Sequence, residues 1–166
     1  MNTFRYPVDT DQFQLIREQG KVYVDKTDLI YDLVNVRMYN YVFLARPRRF
    51  GKSLLCNTFK AYFQGQKELF EGLKIMELEK EWKTYPVFHM DFNGGNFTKA
   101  DVLRERICHY LSAWEQEYGM TGKEQDLGLR FTLALQEAYR TDRPACRGAN
   151  RYLRFECYSF KRLYHQ

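Results

Sequence analysis

Apolar side chains recur at helical spacing along much of the chain. Thr10 to Gln19 is predicted to form a first helix, with Phe13 and Ile16 on one face and Gly20 at its end. A second helix is predicted to begin at a cap residue, Asp25 or Thr27, and to reach about Arg37. Further helices are predicted over residues 51–63 and 67–73, from a cap at 98 or 101 through 114, and over 127–139.

Two other stretches are apolar at nearly every position, which is typical of a buried strand. They are Tyr41 to Ala45 and Pro86 to Phe92. A turn at Asn93-Gly94-Gly95 follows the second stretch. Val22 to Val24 predicts a third, shorter strand. Strands that are apolar on both faces occur in parallel sheets covered by helices. The pattern therefore predicts an α/β fold in which Tyr41 to Ala45 and Val87 to Met90 are parallel, buried strands of one sheet.

The regular pattern ends at Thr141. Residues 142–166 mix aromatic residues and arginines without a helical or strand period. We therefore expect one domain over residues 1–141 and an atypical tail over residues 142–166.

Composition supports a folded core but does not select a partner. Of the 166 residues, 45% are hydrophobic and 17% aromatic, which excludes global disorder. The net charge of +5 favours anionic partners without naming one. No apolar run approaches the roughly 18 residues of a membrane-spanning helix, so a cytoplasmic protein without membrane contact is expected. Four cysteines without metal-ligand spacing predict reduced thiols, with Cys56 and Cys108 in the core.

A candidate phosphate-binding loop follows the first predicted buried strand. The segment Arg46-Pro-Arg-Arg-Phe-Gly51-Lys52-Ser53 matches the pattern G-x-x-x-x-G-K-[ST] except at its first position, which is Arg46. In such a loop the backbone N–H groups and the helix N-terminus surround an anion, and the lysine reaches the β and γ phosphates. Gly51 would leave room for the phosphates, and Ser53 would hold Mg²⁺ through its hydroxyl.

The motif predicts a contiguous set of cofactor-binding residues. Two of them, Arg48 and Arg49, could donate bidentate hydrogen bonds to phosphate or could point to solvent. For the loop as a whole, the alternative to a phosphate-binding site is a basic surface turn. Arginine at the first position adopts a positive φ poorly, and Pro47 favours an extended Arg46. The candidate residues are Arg46, Pro47, Arg48, Arg49, Phe50, Gly51, Lys52, Ser53 and Leu54.

Several segments together resemble the bacterial AAA-ATPase-like family over about residues 3 to 141. The family has an N-terminal P-loop ATPase-like domain, often followed by a PD-(D/E)xK nuclease-like domain, so the resemblance implies a P-loop NTPase-like fold, ATP binding and Mg²⁺. Arginine at position 46 is usual in that family. The resembling segments are Val22-Tyr-Val-Asp-Lys-Thr27, the loop with its flanks from Leu44 to Leu55, Phe63-Gln-Gly65 with Leu69 to Leu73, and Trp82 to Val87 through Asp91-Phe92.

The resemblance also implies an acidic Walker B strand, which this chain lacks. The codons that could encode the residues from Asp142 onward can also be read in a frame shifted by one base. In that frame the allowed triplets can spell T-G-[RQ]-P-V-V-V-L-I-D-T-Y-D. We therefore expect the tail to be an out-of-frame translation that leaves the fold incomplete. Asp91, at the end of the second buried strand, is a candidate substitute acid, with an ordinary strand-end carboxylate as the alternative.

These observations predict ATP binding with hydrolysis doubtful, and no catalytic residue is assigned. Phosphoryl transfer needs Mg²⁺ held by both the loop hydroxyl and an acid. The alternative is a DNA-associated module of a nuclease-linked system, in which the basic loop binds the phosphate backbone. No protein partner is predicted.

Overall fold

The computed structural model describes residues 5–8, 10–37, 42–47, 49–92, 99–120 and 126–141, together with the backbone of residues 157–159. These residues are mostly helical. Apart from residues 157–159, they fall into two compact units, one within residues 1–89 and one within residues 90–151.

The first unit is built from short helices around one longer helix. Helix α1 spans Phe13–Glu18, and α2 spans Thr27–Tyr31 and continues as a π-helical turn over Asp32–Val36. These helices and α3, Lys52–Phe63, confirm predicted helices. A 3₁₀ helix over Lys67–Phe70 occupies part of the predicted helix at 67–73, and α4, Ile75–Leu78, follows it.

Aromatic rings fill the core of this unit. Phe70 is fully buried, with ring centroids 5.0 Å from Phe13 and 5.2 Å from Trp82. Tyr62 and Phe63 are buried in the same core, and the half-buried Trp82 packs against it. The buried cluster consists of Phe13, Ile30, Phe59, Ala61, Tyr62, Phe63, Leu69, Phe70, Leu73 and Ile75.

The second unit contains the two longest helices. Helix α5 spans Ala100–Glu117 and α6 spans Leu127–Thr141, as the apolar spacing predicts. Trp114 of α5 is buried, and its ring centroid lies 6.1 Å from that of Phe131 on α6. Small residues on α6 let the two helices approach closely, since Ala134 and Ala138 are fully buried.

The predicted fold class is wrong, because no parallel sheet is found in the described residues. The described strands have three residues each: β1, His89–Asp91, pairs with β2, Cys157–Ser159. The described part of the predicted strand Tyr41 to Ala45, residues 42–45, is not strand, and Phe43 is 93% exposed. Val22 to Val24 is not strand either.

The correction has a physical reason. A strand that is apolar on both faces becomes buried only when neighbouring strands pair with its backbone and helices cover both faces. In the part of the chain that is described, β1 and β2 pair with each other, so residues 42–45 have no strand partner there. The apolar sequence is present, but the described ranges contain no sheet that would bury it.

The cysteines differ from the expectation. Cys56, on α3, is disulfide-bonded, so the prediction of reduced thiols is wrong at this position. Cys108, on α5, is a free and half-buried thiol.

Two further expectations concern the tail and the membrane. The predicted domain boundary at Thr141 stays a prediction, because residues 142–156 and 160–166 lie outside the described residues. The out-of-frame tail therefore stays a prediction. Among the helices described, none has the length and apolar character needed to cross a membrane.

Candidate functional site

Helix α3 positions the candidate phosphate-binding loop. Its last two turns are anchored in the core, since Thr58, Phe59 and Phe63 are buried. Its first turn is only half-buried. The helix therefore holds its N-terminus, and the loop that precedes it, at the surface of the first unit.

Gly51 is the N-cap of α3 and has a φ of +72°. The backbone N–H of Leu55 donates to the Gly51 carbonyl at 2.9 Å, which begins the helix. No atom lies within 4 Å of the position that a Cβ at Gly51 would occupy, so the left-handed conformation, more than crowding within the protein, explains glycine here. Glycine also offers no side chain to cap the first-turn N–H groups.

Lys52 closes the loop. Its Nζ donates a hydrogen bond to the backbone carbonyl oxygen of Arg46 at 2.6 Å. These two residues are the first and seventh positions of the motif, so the bond draws the two ends of the loop together. The ammonium group therefore lies beside the loop that precedes α3, and an anion at the N-terminus of this helix would be close to it.

Arginine replaces glycine at position 46 without the positive φ angle that glycine can adopt there. Among the described residues other than glycine, positive φ angles occur at Arg49, with φ +65°, and at Trp82. Arg46 therefore avoids the left-handed region, and the unusual backbone lies three residues later. The motif gives no signal for this conformation at Arg49, because it leaves that position undefined.

The remaining site residues are mostly exposed to solvent. Arg46, Pro47, Arg49 and Phe50 are exposed, with Phe50 at 61%. Lys52, Ser53 and Leu54 are half-buried, and Lys52 contacts Arg46 through the hydrogen bond described above. Arg48 lies outside the described residues. Within the described part of the chain, no ion pair involves Arg46, Arg49 or Lys52.

The loop fits a phosphate better than it fits a metal ion. Its cations and the helix N-terminus complement negative charge. Mg²⁺ prefers oxygen ligands that include carboxylates, and Ser53 contributes one neutral hydroxyl. Among the described residues, no group of three or more His, Cys, Asp or Glu side chains could hold a metal ion.

Asp91, the candidate substitute acid, lies at the end of β1 and is half-buried. Its backbone is fixed by Tyr110 of α5: the Asp91 N–H donates to the tyrosine oxygen at 3.0 Å, and the tyrosine hydroxyl donates to the Asp91 carbonyl at 2.8 Å. These contacts fix the backbone at the strand end and do not involve the Asp91 carboxylate. A role in metal binding stays a prediction.

Asp25 and Thr27 form a structural contact with a distant segment. Asp25 Oδ1 accepts hydrogen bonds from the Thr27 N–H and hydroxyl, and Oδ2 accepts from the Lys74 N–H at 2.8 Å. The Thr27 hydroxyl oxygen accepts from the Ile75 N–H at 3.1 Å. The N-cap of α2 is Lys26, without a side-chain capping bond, so the prediction that Asp25 or Thr27 is the cap is wrong. The Asp25 side chain instead joins the first residue of α2 to the start of α4.

Comparison with known proteins identifies the family. The family model described as Predicted AAA-ATPase (AAA-ATPase_like) matches residues 7–146. A similar protein, described as an uncharacterized protein in the vnfD 5'region of Azotobacter chroococcum mcd 1, is 32% identical over 140 residues, which are 84% of this chain and 27% of that protein. The chain thus spans about a quarter of that relative's length. No solved structure matches the chain. On the strength of the family match, the chain belongs to the AAA-ATPase-like family of predicted ATPases.

Proposed function

We propose that residues 46–54 bind the phosphates of a nucleotide, with ATP as the ligand. The observation that carries the proposal is the position of Lys52, whose Nζ bonds to the Arg46 carbonyl across the loop at the N-terminus of α3. A phosphate at this place meets an ammonium group and the positive end of a twelve-residue helix. The membership of the AAA-ATPase-like family supports the same ligand class.

Each part of the loop has a proposed role. Lys52 exchanges its bond to the Arg46 carbonyl for one to a phosphate oxygen. Arg46 and Arg49, which are exposed, supply further charge-assisted hydrogen bonds. Ser53 is the ligand that this loop would offer to a Mg²⁺ ion accompanying the nucleotide.

The test compares Lys52→Ala with Lys60→Ala. Both lysines lie on α3 and are half-buried, but Lys60 belongs to the last turn, away from the loop. We expect Lys52→Ala to weaken ATP binding at least about tenfold in calorimetric titration, and Lys60→Ala to change it by less than about twofold. Circular dichroism checks that both variants keep their helices. Equal ATP affinity in the parent and in a folded Lys52→Ala variant would sink the proposal.

A second candidate is binding to the phosphate backbone of DNA. The exposure of Arg46 and Arg49, without an ion pair to either in the described part of the chain, favours this candidate. A salt series separates the two functions, because DNA affinity falls steeply with salt concentration as counterions are released. DNA binding that ATP does not displace, with no measurable ATP binding, would favour this second function.

A further inference from the structure

The phosphate-binding loop lies within a long stretch of sequence without carboxylates. No Asp or Glu occurs from Leu33 to Lys67. The same stretch contains seven cationic residues, and four of them lie within the loop itself. The seven are Arg37, Arg46, Arg48, Arg49, Lys52, Lys60 and Lys67.

The structure leaves the loop cations available to a ligand. Arg46 and Arg49 are exposed, and neither they nor Lys52 take part in an ion pair within the described ranges. Arg37, at the start of the same stretch, is different because its Nε donates to the carboxylate of Asp32. The positive charge of the loop is therefore not neutralised by the described part of the protein.

A site of this charge suits a free triphosphate better than a triphosphate already bound to a divalent cation. Mg²⁺ cancels two negative charges of the phosphate tail and occupies oxygens that guanidinium groups could otherwise bind. Sites that hold Mg²⁺ compensate by adding carboxylates around the ion. Here Ser53 is neutral, and the sequence on either side of the loop supplies no carboxylate from Leu33 to Lys67.

We propose that the loop binds metal-free ATP in preference to the Mg²⁺ complex, with Arg46, Arg49 and Lys52 neutralising the phosphates in place of the ion. This inference rests on the proposed function. It specifies the form of the nucleotide that the site takes. Mg²⁺ then competes with the protein for the phosphate oxygens.

The test is a pair of titrations of the full chain with ATP, one with EDTA and one with excess Mg²⁺. Ionic strength is matched with NaCl, because salt screens exposed charges by itself. We expect ATP to bind roughly tenfold more tightly with EDTA than with Mg²⁺. Equal or tighter binding with Mg²⁺ overturns the inference and leaves nucleotide binding intact. Absence of ATP binding under both conditions overturns the proposed function as well.

Two arginine variants connect the effect to the loop. Arg49→Gln removes one exposed loop cation, and Arg37→Gln removes a cation of the same stretch that is already paired with Asp32. We expect Arg49→Gln to reduce the ratio of the two affinities by at least about threefold and Arg37→Gln to leave it unchanged. Circular dichroism confirms folding of each variant. The same ratio in the parent and in folded Arg49→Gln contradicts a role of the loop charge.

Discussion

Arg130 of α6 holds both carboxylate oxygens of Glu115 on α5. Its Nε donates to Oε1 and its Nη2 donates to Oε2, each at 2.7 Å. Both side chains are largely buried, with 14% of Arg130 and 8% of Glu115 exposed. The two parallel bonds fix the position of α6 along α5 as well as their separation, because a bidentate pair tolerates little displacement.

Replacement of Glu115 by alanine should destabilise the second unit. The variant leaves the Arg130 guanidinium without its carboxylate, and we expect a loss of about 2 kcal/mol in the free energy of unfolding. Fluorescence of Trp114, in a Trp82→Phe background, reports unfolding of this unit. Glu105→Ala is the control, since Glu105 is exposed on the same helix and should cost less than about 0.5 kcal/mol. Equal losses in the two variants would contradict a structural role for the pair.

The same pair should make the second unit sensitive to acid. The hydrogen bonds from Arg130 lower the pKa of Glu115 below its ordinary value, although burial opposes the shift. A carboxyl group whose pKa falls on folding stabilises the protein above its unfolded pKa of about 4.3, and this contribution is lost as the pH falls through the lower folded pKa. We expect urea titrations to show that the stability difference between the parent and Glu115→Gln shrinks steadily below about pH 5. A difference that stays constant or grows in acid would contradict the assignment.

Asp25 should matter for stability and not for nucleotide binding. Although burial raises the pKa of Asp25, hydrogen bonds from Lys74 and Thr27 outweigh it and lower the pKa overall. We expect Asp25→Ala to cost about 2 kcal/mol, measured by Trp82 fluorescence in a Trp114→Phe background. Asp28→Ala should cost less than about 1 kcal/mol, because its bond to Lys74 is exposed. ATP affinity that fell in a folded Asp25→Ala variant would place Asp25 at the nucleotide instead.

Gly65 lies where an added methyl group has no room. A Cβ there would come within 2.9 Å of Thr84 Oγ1 and 3.4 Å of the Trp82 carbonyl oxygen, at a φ of +68°. Gly72 has a similar φ of +77°, with nothing within 4 Å. We expect Gly72→Ala to cost about 1 kcal/mol from the left-handed backbone alone, and Gly65→Ala at least about 2 kcal/mol. Chemical denaturation checks both values, and Thr84→Ala should remove part of the difference.

Local features of the fold could be predicted from the sequence. The helices over α1, α3, α5 and α6 were predictable because apolar spacing and end signals lie within each segment. Gly20 ends the first helix with φ +60°, as expected for a glycine after a helix C-terminus. The sequence indicated that Asp25 lies at the start of α2, although the N-cap itself is Lys26. The second partner of Asp25, the Lys74 N–H, depends on a contact across 49 positions that no local pattern shows.

Non-local features could not be predicted in this way. Residues 42–45 have the composition of a buried strand, but burial depends on partner strands elsewhere in the chain. The bond from Lys52 to the Arg46 carbonyl could not be predicted either, because every residue has a backbone carbonyl and the sequence does not show which one accepts the bond. The sequence therefore indicated which residues form the candidate site, but not the hydrogen bond that joins the two ends of its loop.

The chain should bind ATP without hydrolysing it. Transfer of the γ-phosphoryl group requires an ion held by the loop hydroxyl and by an acid, and Ser53 is the ligand that the loop supplies. We expect phosphate release from ATP and Mg²⁺ by the purified parent protein to match that of Lys52→Ala, which serves as the measure of contaminating activity. Asp91→Asn should likewise leave phosphate release unchanged. Mg²⁺-dependent turnover by the parent that both substitutions abolish would show that Asp91 completes the metal site. Turnover lost in Lys52→Ala and retained in Asp91→Asn would assign that role to another acid.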